Sequence, residues 1–353
     1  MFTIQDWRSA NAKLVAAALH TETGRWRSDF AWDVTTTWQS IEPARTAGTL
    51  PGFVATDYAG RVVGWTCFLL HHGALQVAVF TAEAPEVTDR LMDAVLTSPE
   101  ASAADLHVVC VRDSAPALRL ALARRGFDTV TYRYLAAKPT ATAPTASGDA
   151  VAPREWRTGD IDALADLCAR AYPDTREVRA FAPLGTDAEW RDYVLGLVAG
   201  PGCGRLVPAA TFVAEGRTRD SMDGAIVATD LGLGTGHIAQ VVVDRAAEGR
   251  GLGTALVCRA LSACHAQGFD RVTLLVSAAN ARAGRLYSRL GFRNRAAFVV
   301  AVNRQPRRFS SVALATGGVS TRRYAASVVS PRSSPATALR RASSASASAD
   351  NDA

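Results

Sequence analysis

The order of secondary-structure signals repeats once along this 353-residue chain, and this repetition is the strongest constraint on its fold. In each half, apolar β-branched strand segments precede a helix, a buried strand, a second helix and a last strand. The second helix ends in Gly126-Phe127 in one half and in Gly291-Phe292, roughly 160 residues later, in the other. We predict two tandem α/β units, each a mostly antiparallel mixed sheet flanked by helices. A chance likeness between two α/β domains is the alternative.

One segment of the second half combines a strand, a glycine-rich loop and a helix. VVVDRAAEGRGLGTAL (241–256) places Gly249, Gly251 and Gly253 directly before the helix. The first amides of a helix lack internal partners, and the helix dipole favours an anion beside them. Glycines let a phosphate approach the backbone, and Arg250 can add a bidentate contact. The segment therefore predicts a phosphate-binding loop, with an ordinary glycine-rich turn as the alternative.

Two common nucleotide motifs do not fit this loop. A Walker A loop requires Gly-Lys-Ser/Thr, and no lysine of the chain follows a glycine. The dinucleotide fingerprint G-x-G-x-x-G fails as well, because its last position falls on Thr254 or Leu256, depending on the register.

The loop resembles the acyl-CoA-binding motif of the GNAT superfamily of N-acyltransferases, Gln/Arg-x-x-Gly-x-Gly/Ala. A second segment, NARAGRLYSRLGF (280–292), is similar to the helix that follows in that family. The resemblance covers about residues 151 to 303. One position departs from the motif, because Glu248 stands where the family has Gln or Arg. A carboxylate is unfavourable beside a pyrophosphate, and we expect Arg250 to offset it.

The resemblance implies acetyl-CoA as cosubstrate and no metal. The backbone of Val241 and Val243 would hold the acyl group and the pantetheine arm like an added strand. Asn280 would contact that arm, and Tyr287 would protonate the departing thiolate, unless Tyr287 is merely a packed aromatic residue. The pyrophosphate would be bound by the cradle of Gly249 and by the amides of Arg250, Gly251, Leu252, Gly253 and Thr254.

The activity implied is transfer of an acetyl group to a primary amine of a small molecule or peptide, by direct attack in a ternary complex. A strand amide near Val243 would stabilise the oxyanion. The general base stays open: His237, Asp230 and Gln240 lie on candidate strands, and a water chain would also serve. The alternative function is that of a non-catalytic acyl-CoA-binding regulatory module.

The first half lacks the corresponding residues. Pro85, which has no amide hydrogen, and the acidic Glu86 occupy the place of the glycine loop. Leu122 and Ala115 stand where the second half has its tyrosine and asparagine. We therefore expect a degenerate unit that is structural or shapes the substrate cleft.

Composition sets the domain limits. We predict a degenerate unit at 1–138, a Pro/Ala/Thr-rich linker at 139–152, the acyltransferase unit at 153–304 and a disordered Arg/Ser/Ala-rich tail at 305–353. From Arg304 onward, eight arginines and two aspartates account for the whole net charge of +6. We therefore expect no nucleic-acid binding by the rest of the chain, and any such binding would involve the tail only. No apolar run is long enough to cross a membrane, no signal sequence is evident and the six cysteines are scattered, so we expect a cytoplasmic protein.

Overall fold

The computed structural model describes residues 1–112, 115–141, 153–172, 176–200, 203–216 and 221–304. Most of the predicted linker and all of the predicted tail at 305–353 lie outside these residues. Among the described residues, no helix is both long enough and apolar enough to cross a membrane.

Strands and helices follow each other in the same order in both halves of the chain, apart from a short extra helix, Pro99–Ser102, in the first half and a short extra strand, Arg205–Leu206, in the second. The strands are β1 (Phe2–Asp6), β2 (Gly52–Asp57), β3 (Val62–His71), β4 (Ala74–Ala82), β5 (Leu106–Arg112), β6 (Asp128–Ala137), β7 (Arg154–Glu155), β8 (Arg205–Leu206), β9 (Phe212–Glu215), β10 (Met222–Asp230), β11 (Thr235–Val243), β12 (Arg271–Ser277) and β13 (Arg293–Arg304). The helices are α1 (Ala12–Phe30), α2 (Thr35–Thr46), α3 (Pro85–Leu96), α4 (Pro99–Ser102), α5 (Pro116–Arg124), α6 (Ile161–Ala171), α7 (Asp187–Ala199), α8 (Leu252–Ala266) and α9 (Ala281–Arg289).

All these strands belong to one mixed sheet. Its order is β1-β2-β3-β4-β5-β13-β6-β12-β11-β10-β9-β7, and β8 pairs with β10 outside this path. Strands β4 and β5 run parallel, as do β11 and β12, whereas the other pairs are antiparallel. The predicted mostly antiparallel mixed sheet is confirmed.

The two halves repeat a structural irregularity as well as an element order. In the first half, parallel pairing ends at Val77↔Val109, and Ala78 forms a bulge against β3. In the second half, parallel pairing ends at Ile238↔Leu274, and Ala239 forms a bulge against β10. Because a bulge bends its strand, both halves splay their parallel pair at the same point.

The last strands of the two halves are shared, which corrects the expectation that each unit has a sheet of its own. Strand β6 of the first half pairs with β12 of the second, from Ala137↔Val272 to Tyr132↔Ser277. Strand β13 of the second half lies between β5 and β6 of the first. The sheet is therefore continuous across the halves, an arrangement that depends on contacts between segments far apart in sequence.

Helices cover both faces of the sheet because strand side chains alternate between them. On β10, Ile226 packs in a cluster with α8 and α9, whereas its neighbour Val227 packs in a cluster with α6 and α7. The first half repeats this pattern, with α3 and α5 on one face and α1 and α2 on the other. The site described below lies at the edge of these layers, where β11 leaves β12.

Candidate active site

The glycine loop takes the backbone conformation that its sequence predicts. Gly249 and Gly251 have φ values of 80° and 81°, in the left-handed region. A Cβ atom at either position would meet no protein atom within 4 Å, so glycine is needed for its conformation and not for internal space. A residue with a side chain would cost about 1–2 kcal/mol at such an angle. Gly251 ends the loop as the N-cap of α8, and its cap has no side-chain hydrogen bond.

The amides of this loop find no acceptor in the part of the chain that the structure describes. Within the described residues, no hydrogen bond is found for any backbone N–H from 249 to 254. The next amide along the chain, that of Ala255, already donates to Gly251 O at 3.0 Å. Gly249 and the residues from Gly251 to Thr254 line a cleft of about 650 Å³. These amides and the dipole of α8 make the loop a binding surface for an anion.

The carboxylate of Glu248 is paired, but not with the predicted partner. Arg282, in the first turn of α9, forms a salt bridge and hydrogen bond with Glu248. Arg250 is exposed and does not line the cleft. Arg282 thus takes the role that the sequence analysis gave to Arg250, and it also lies at the mouth of the loop. The sequence shows that Arg282 belongs to the NARAG segment, but it does not predict that Arg282 pairs with Glu248, 34 positions earlier.

The cleft opens where β11 separates from β12. Pairing of β11 with β12 stops at Ile238, whereas pairing with β10 continues to Val243. Asp244 N donates to Asp223 O at 2.8 Å, so Asp244 faces β10. Backbone groups alternate along an antiparallel strand, so Val241 and Val243 direct their N–H and C=O groups away from β10, into the gap. The structure thus places both valines where the sequence analysis expected them.

A network of polar side chains already occupies one of these carbonyls. Tyr172 Oη donates to Val241 O at 2.9 Å, and Gln240 Nε2 donates to the same oxygen at 3.0 Å. Gln240 Nε2 also donates to Tyr172 Oη at 2.6 Å, and Tyr193 Oη donates to Gln240 Oε1 at 2.5 Å. A ligand that extends the sheet therefore meets the Val241 amide and both backbone groups of Val243. The sequence analysis did not place Tyr172 and Tyr193 in this network, because they lie 68 and 47 residues before Gln240 and only the fold brings them to it.

Tyr287 lies in the same cleft, on α9. Its ring packs edge-on against Phe292, with ring centroids 5.6 Å apart, and burial raises its pKa to about 12. The phenol is therefore protonated at neutral pH. Among the described residues, no hydrogen-bond partner is found for its hydroxyl. Tyr287 is thus both a packed aromatic residue and a protonated donor that lines the cleft.

Asn280 also lines the cleft, but its first role is structural. Its Oδ1 accepts from Ala283 N at 3.0 Å, which caps the N-terminus of α9. This cap orients the helix that carries Arg282 and Tyr287. The predicted ligand contact would use the Asn280 side-chain nitrogen, because its oxygen is engaged.

Comparison with known proteins identifies the family of this chain. The sequence model of the Acetyltransferase (GNAT) family matches residues 162–292. A curated relative, a mycothiol acetyltransferase from Beutenbergia cavernae, is 32% identical over 258 residues, which cover 68% of this chain and 79% of the relative. The chain belongs to the GNAT family. It is a GNAT-type N-acetyltransferase, and acetyl-CoA is the cosubstrate of that family.

Solved structures show the same fold over most of this GNAT chain. A GCN5-related N-acetyltransferase from Sphaerobacter thermophilus has a TM-score of 0.55 at 16% identity and covers 86% of this chain and 95% of its own. A tandem GNAT protein from the clavulanic acid biosynthesis pathway has a TM-score of 0.55 at 13% identity, with coverage of 86% and 98%. Tandem GNAT architecture thus has a solved counterpart.

The structure excludes the three side chains that the sequence analysis considered as the general base of this acetyltransferase. His237 is buried, bonds Thr273 Oγ1 through Nδ1 at 2.9 Å and does not line the cleft. Asp230 lies at the far end of β10 and pairs with Arg205. Gln240 lines the cleft, but an amide does not accept a proton at neutral pH. The carboxylates that line the described part of the cleft are Glu177 and Glu248.

In the first half of this GNAT chain, apolar packing replaces the site. Pro85 is the first residue of α3, and Glu86 follows in its first turn. Leu122, opposite Tyr287, is fully buried. Ala84 and Ala115, from the loop and cap positions, pack against the same hydrophobic cluster as Leu122. These residues provide neither the row of free amides nor the phenol of the second half.

Proposed function

We propose that this enzyme transfers the acetyl group of acetyl-CoA to the primary amine of a small molecule, by direct attack in a ternary complex. The observation that carries the proposal is that the free amides of Gly249 and of residues 251–254 line the same cleft as a protonated Tyr287. The name of the curated relative, mycothiol acetyltransferase, favours a small-molecule acceptor over a peptide. We assign the activity to 153–304 and regard 1–138 as the degenerate unit.

Acetyl-CoA would bind to backbone groups that line the cleft and have no other partner among the described residues. The diphosphate of CoA would accept hydrogen bonds from the loop amides, with the positive end of α8 behind them. The pantetheine arm would lie in the gap and use the Val241 amide and both backbone groups of Val243. Arg282 would supply positive charge at the rim of the loop, and the side-chain nitrogen of Asn280 would reach the arm.

The proposed reaction needs one hydrogen-bond donor to the oxyanion and another to the sulfur of the leaving thiolate. The neutral amine attacks the thioester carbonyl, a C–N bond forms, and charge on oxygen is stabilised by a strand amide near Val243. The C–S bond then breaks, its electron pair passes to sulfur, and the amine loses a proton. A phenol with a pKa near 12 is a weaker acid than a thiol of pKa about 8.5. Tyr287 therefore stabilises the forming thiolate mainly by donating a hydrogen bond.

The acceptor would enter beside a segment that does not belong to the phosphate loop. Glu177, Val178 and Phe181 of this segment line the cleft, and Tyr132 of strand β6 joins them from the first half. Tyr132 Oη donates to the backbone carbonyl of Glu177, which holds the segment in place. Because Glu248 is paired with Arg282 at the phosphate end, we assign ammonium binding and proton removal to the Glu177 carboxylate.

The proposal is tested with a panel of amines, acetyl-CoA and a readout of free thiol. With the best amine, Tyr287→Phe should lower kcat at least about tenfold, because it removes the donor to sulfur, while the Kd for CoA stays unchanged. Tyr58→Phe is the matched control, since Tyr58 is exposed on the first half. CoA binding without turnover of any amine would instead favour the non-catalytic acyl-CoA-binding module, which Glu248 and the degenerate first half also allow.

A further inference from the structure

Two histidines of the first half and one aspartate of the second converge away from the cleft. His71 and His72 lie at the turn between β3 and β4, and Asp192 lies on α7. His72 Nε2 is 2.8 Å from Asp192 Oδ2, and His71 Nε2 is 3.7 Å from the same oxygen. One ligand atom from each residue lies within 4.8 Å of the other two. The cluster therefore has the residue types and the spacing of a metal site.

The turn that presents the histidines is unusually constrained. Strand β3 ends at His71 and β4 begins at Ala74, so His72 and Gly73 form a two-residue hairpin turn. Their φ values are 46° and 74°, as in a type I′ turn, where Asn-Gly is the favoured pair. A left-handed histidine costs about 1–2 kcal/mol, and this turn holds the two imidazole rings with centroids 3.9 Å apart.

The packing of α7 holds the Asp192 carboxylate in place, as the hairpin turn holds the two histidines. A capping box between Thr186 and Glu189 fixes the start of α7. Trp190 and Tyr193, on either side of Asp192, are buried in the core of the second half. The packing of α7 therefore sets the direction of the Asp192 side chain, which is itself buried.

We propose that His71, His72 and Asp192 bind one divalent transition-metal ion of the zinc class between the two halves. Zinc takes imidazole nitrogen and carboxylate oxygen at about 2.0–2.2 Å, and a tetrahedron of such bonds separates its ligands by about 3.4 Å. The distances of 2.8 and 3.7 Å to Asp192 Oδ2 bracket that value. Small side-chain rotations would thus complete three protein ligands and leave a fourth position for water.

A hydrogen-bonded His72–Asp192 pair is the simpler reading of the same contacts. Such a pair needs one imidazole, whereas the Nε2 atoms of both rings lie within 3.7 Å of the same carboxylate oxygen. The metal site accounts for both rings and for the left-handed backbone at His72.

This site is distinct from the proposed catalytic cleft, which none of the three residues lines. The ion would join the β3–β4 turn to the helix that carries Tyr193, which bonds Gln240 at the cleft. The proposal does not depend on the acetyl-transfer proposal, since metal binding is measured without substrate.

The test is a zinc titration of the untagged, full-length, chelator-treated protein against a chromophoric competitor. We expect one tight equivalent of Zn²⁺. His72→Asn keeps a residue suited to the left-handed turn, and Asp192→Asn keeps the carboxamide shape, and each should weaken binding at least about tenfold. His265→Asn is the control, because His265 is exposed on α8. Co²⁺ in place of Zn²⁺ should give the intense visible absorption of a low-coordinate site.

Thermal unfolding separates the site from a simple hydrogen-bonded pair. Zn²⁺ should raise the Tm of the chelator-treated wild type and of His265→Asn, but not that of His72→Asn. The proposal is overturned if the wild type binds no equivalent, or if both site variants bind zinc as the wild type does. Destabilisation by Asp192→Asn with no zinc effect on the wild type would also overturn it and leave the hydrogen-bonded pair.

Discussion

The Glu248–Arg282 pair beside the phosphate loop allows a quantitative test of the proposed CoA site. We expect Glu248→Gln to tighten acetyl-CoA binding, because it removes a carboxylate from the rim where the diphosphate would bind. At a separation of about 6 Å and an effective dielectric of about 40–80, a unit charge contributes about 0.7–1.4 kcal/mol. The side chains of Glu248 and Arg282 are 44% and 62% exposed, so the higher dielectrics apply. A change of about 1 kcal/mol corresponds to a Kd about fivefold lower.

Arg282→Gln should do the opposite and raise the Kd about fivefold, since it leaves the carboxylate unpaired beside the ligand. The double variant should bind nearly as the wild type does. Isothermal titration calorimetry measures each Kd, and the differences should shrink as salt rises from about 0.01 to 1 M, because the Debye length falls from about 30 to 3 Å.

A matched surface pair provides the control. Arg61 and Glu83 form a salt bridge in the first half, with side chains 60% and 46% exposed. Glu83→Gln should leave the Kd unchanged. If Glu248→Gln weakens binding, or if its effect persists at high salt, the carboxylate contacts CoA favourably and the electrostatic reasoning is wrong.

Three further results are expected. Gly251→Ala should weaken CoA binding and lower the free energy of unfolding by about 1–2 kcal/mol, seen by calorimetry and urea titration, because φ is 81° there. Tyr172→Phe should change the KM for acetyl-CoA more than kcat in steady-state assays, since it frees one lone pair of Val241 O. Burial raises the pKa of Tyr287 to about 12, so a pH–rate profile should show no loss of activity from this phenol near pH 10. The free energy of unfolding should fall as the pH rises from the tyrosine pKa of the unfolded chain, near 10, towards 12.

Local physics explains which features the sequence predicts well. The continuous apolar run RVTLLVS (271–277) predicts a buried strand, and it forms β12 with the same limits. Glycine is typical of a helix end, and Gly268 and Gly291 follow α8 and α9 with positive φ. The glycine loop belongs to the same class, because the free amides of a helix N-terminus depend on a few consecutive residues. The partners of Glu248 and Val241 could not be predicted in this way. Arg282 and Tyr172 come from other segments, which only the fold brings to these residues. His71, His72 and Asp192 are separated in the same way.

The shared strands explain why the degenerate half belongs to the enzyme. If the first half were absent, β12 would lose its pairing with β6, and β13 would lose both β5 and β6. An unpaired edge beside the cleft exposes backbone donors and acceptors that invite aggregation. Strand β6 also carries Tyr132 to the cleft wall, where its hydroxyl bonds the backbone of Glu177. The first half therefore supports the site of the second through the sheet itself, although its own loop has Pro85 and Glu86 in place of the glycines.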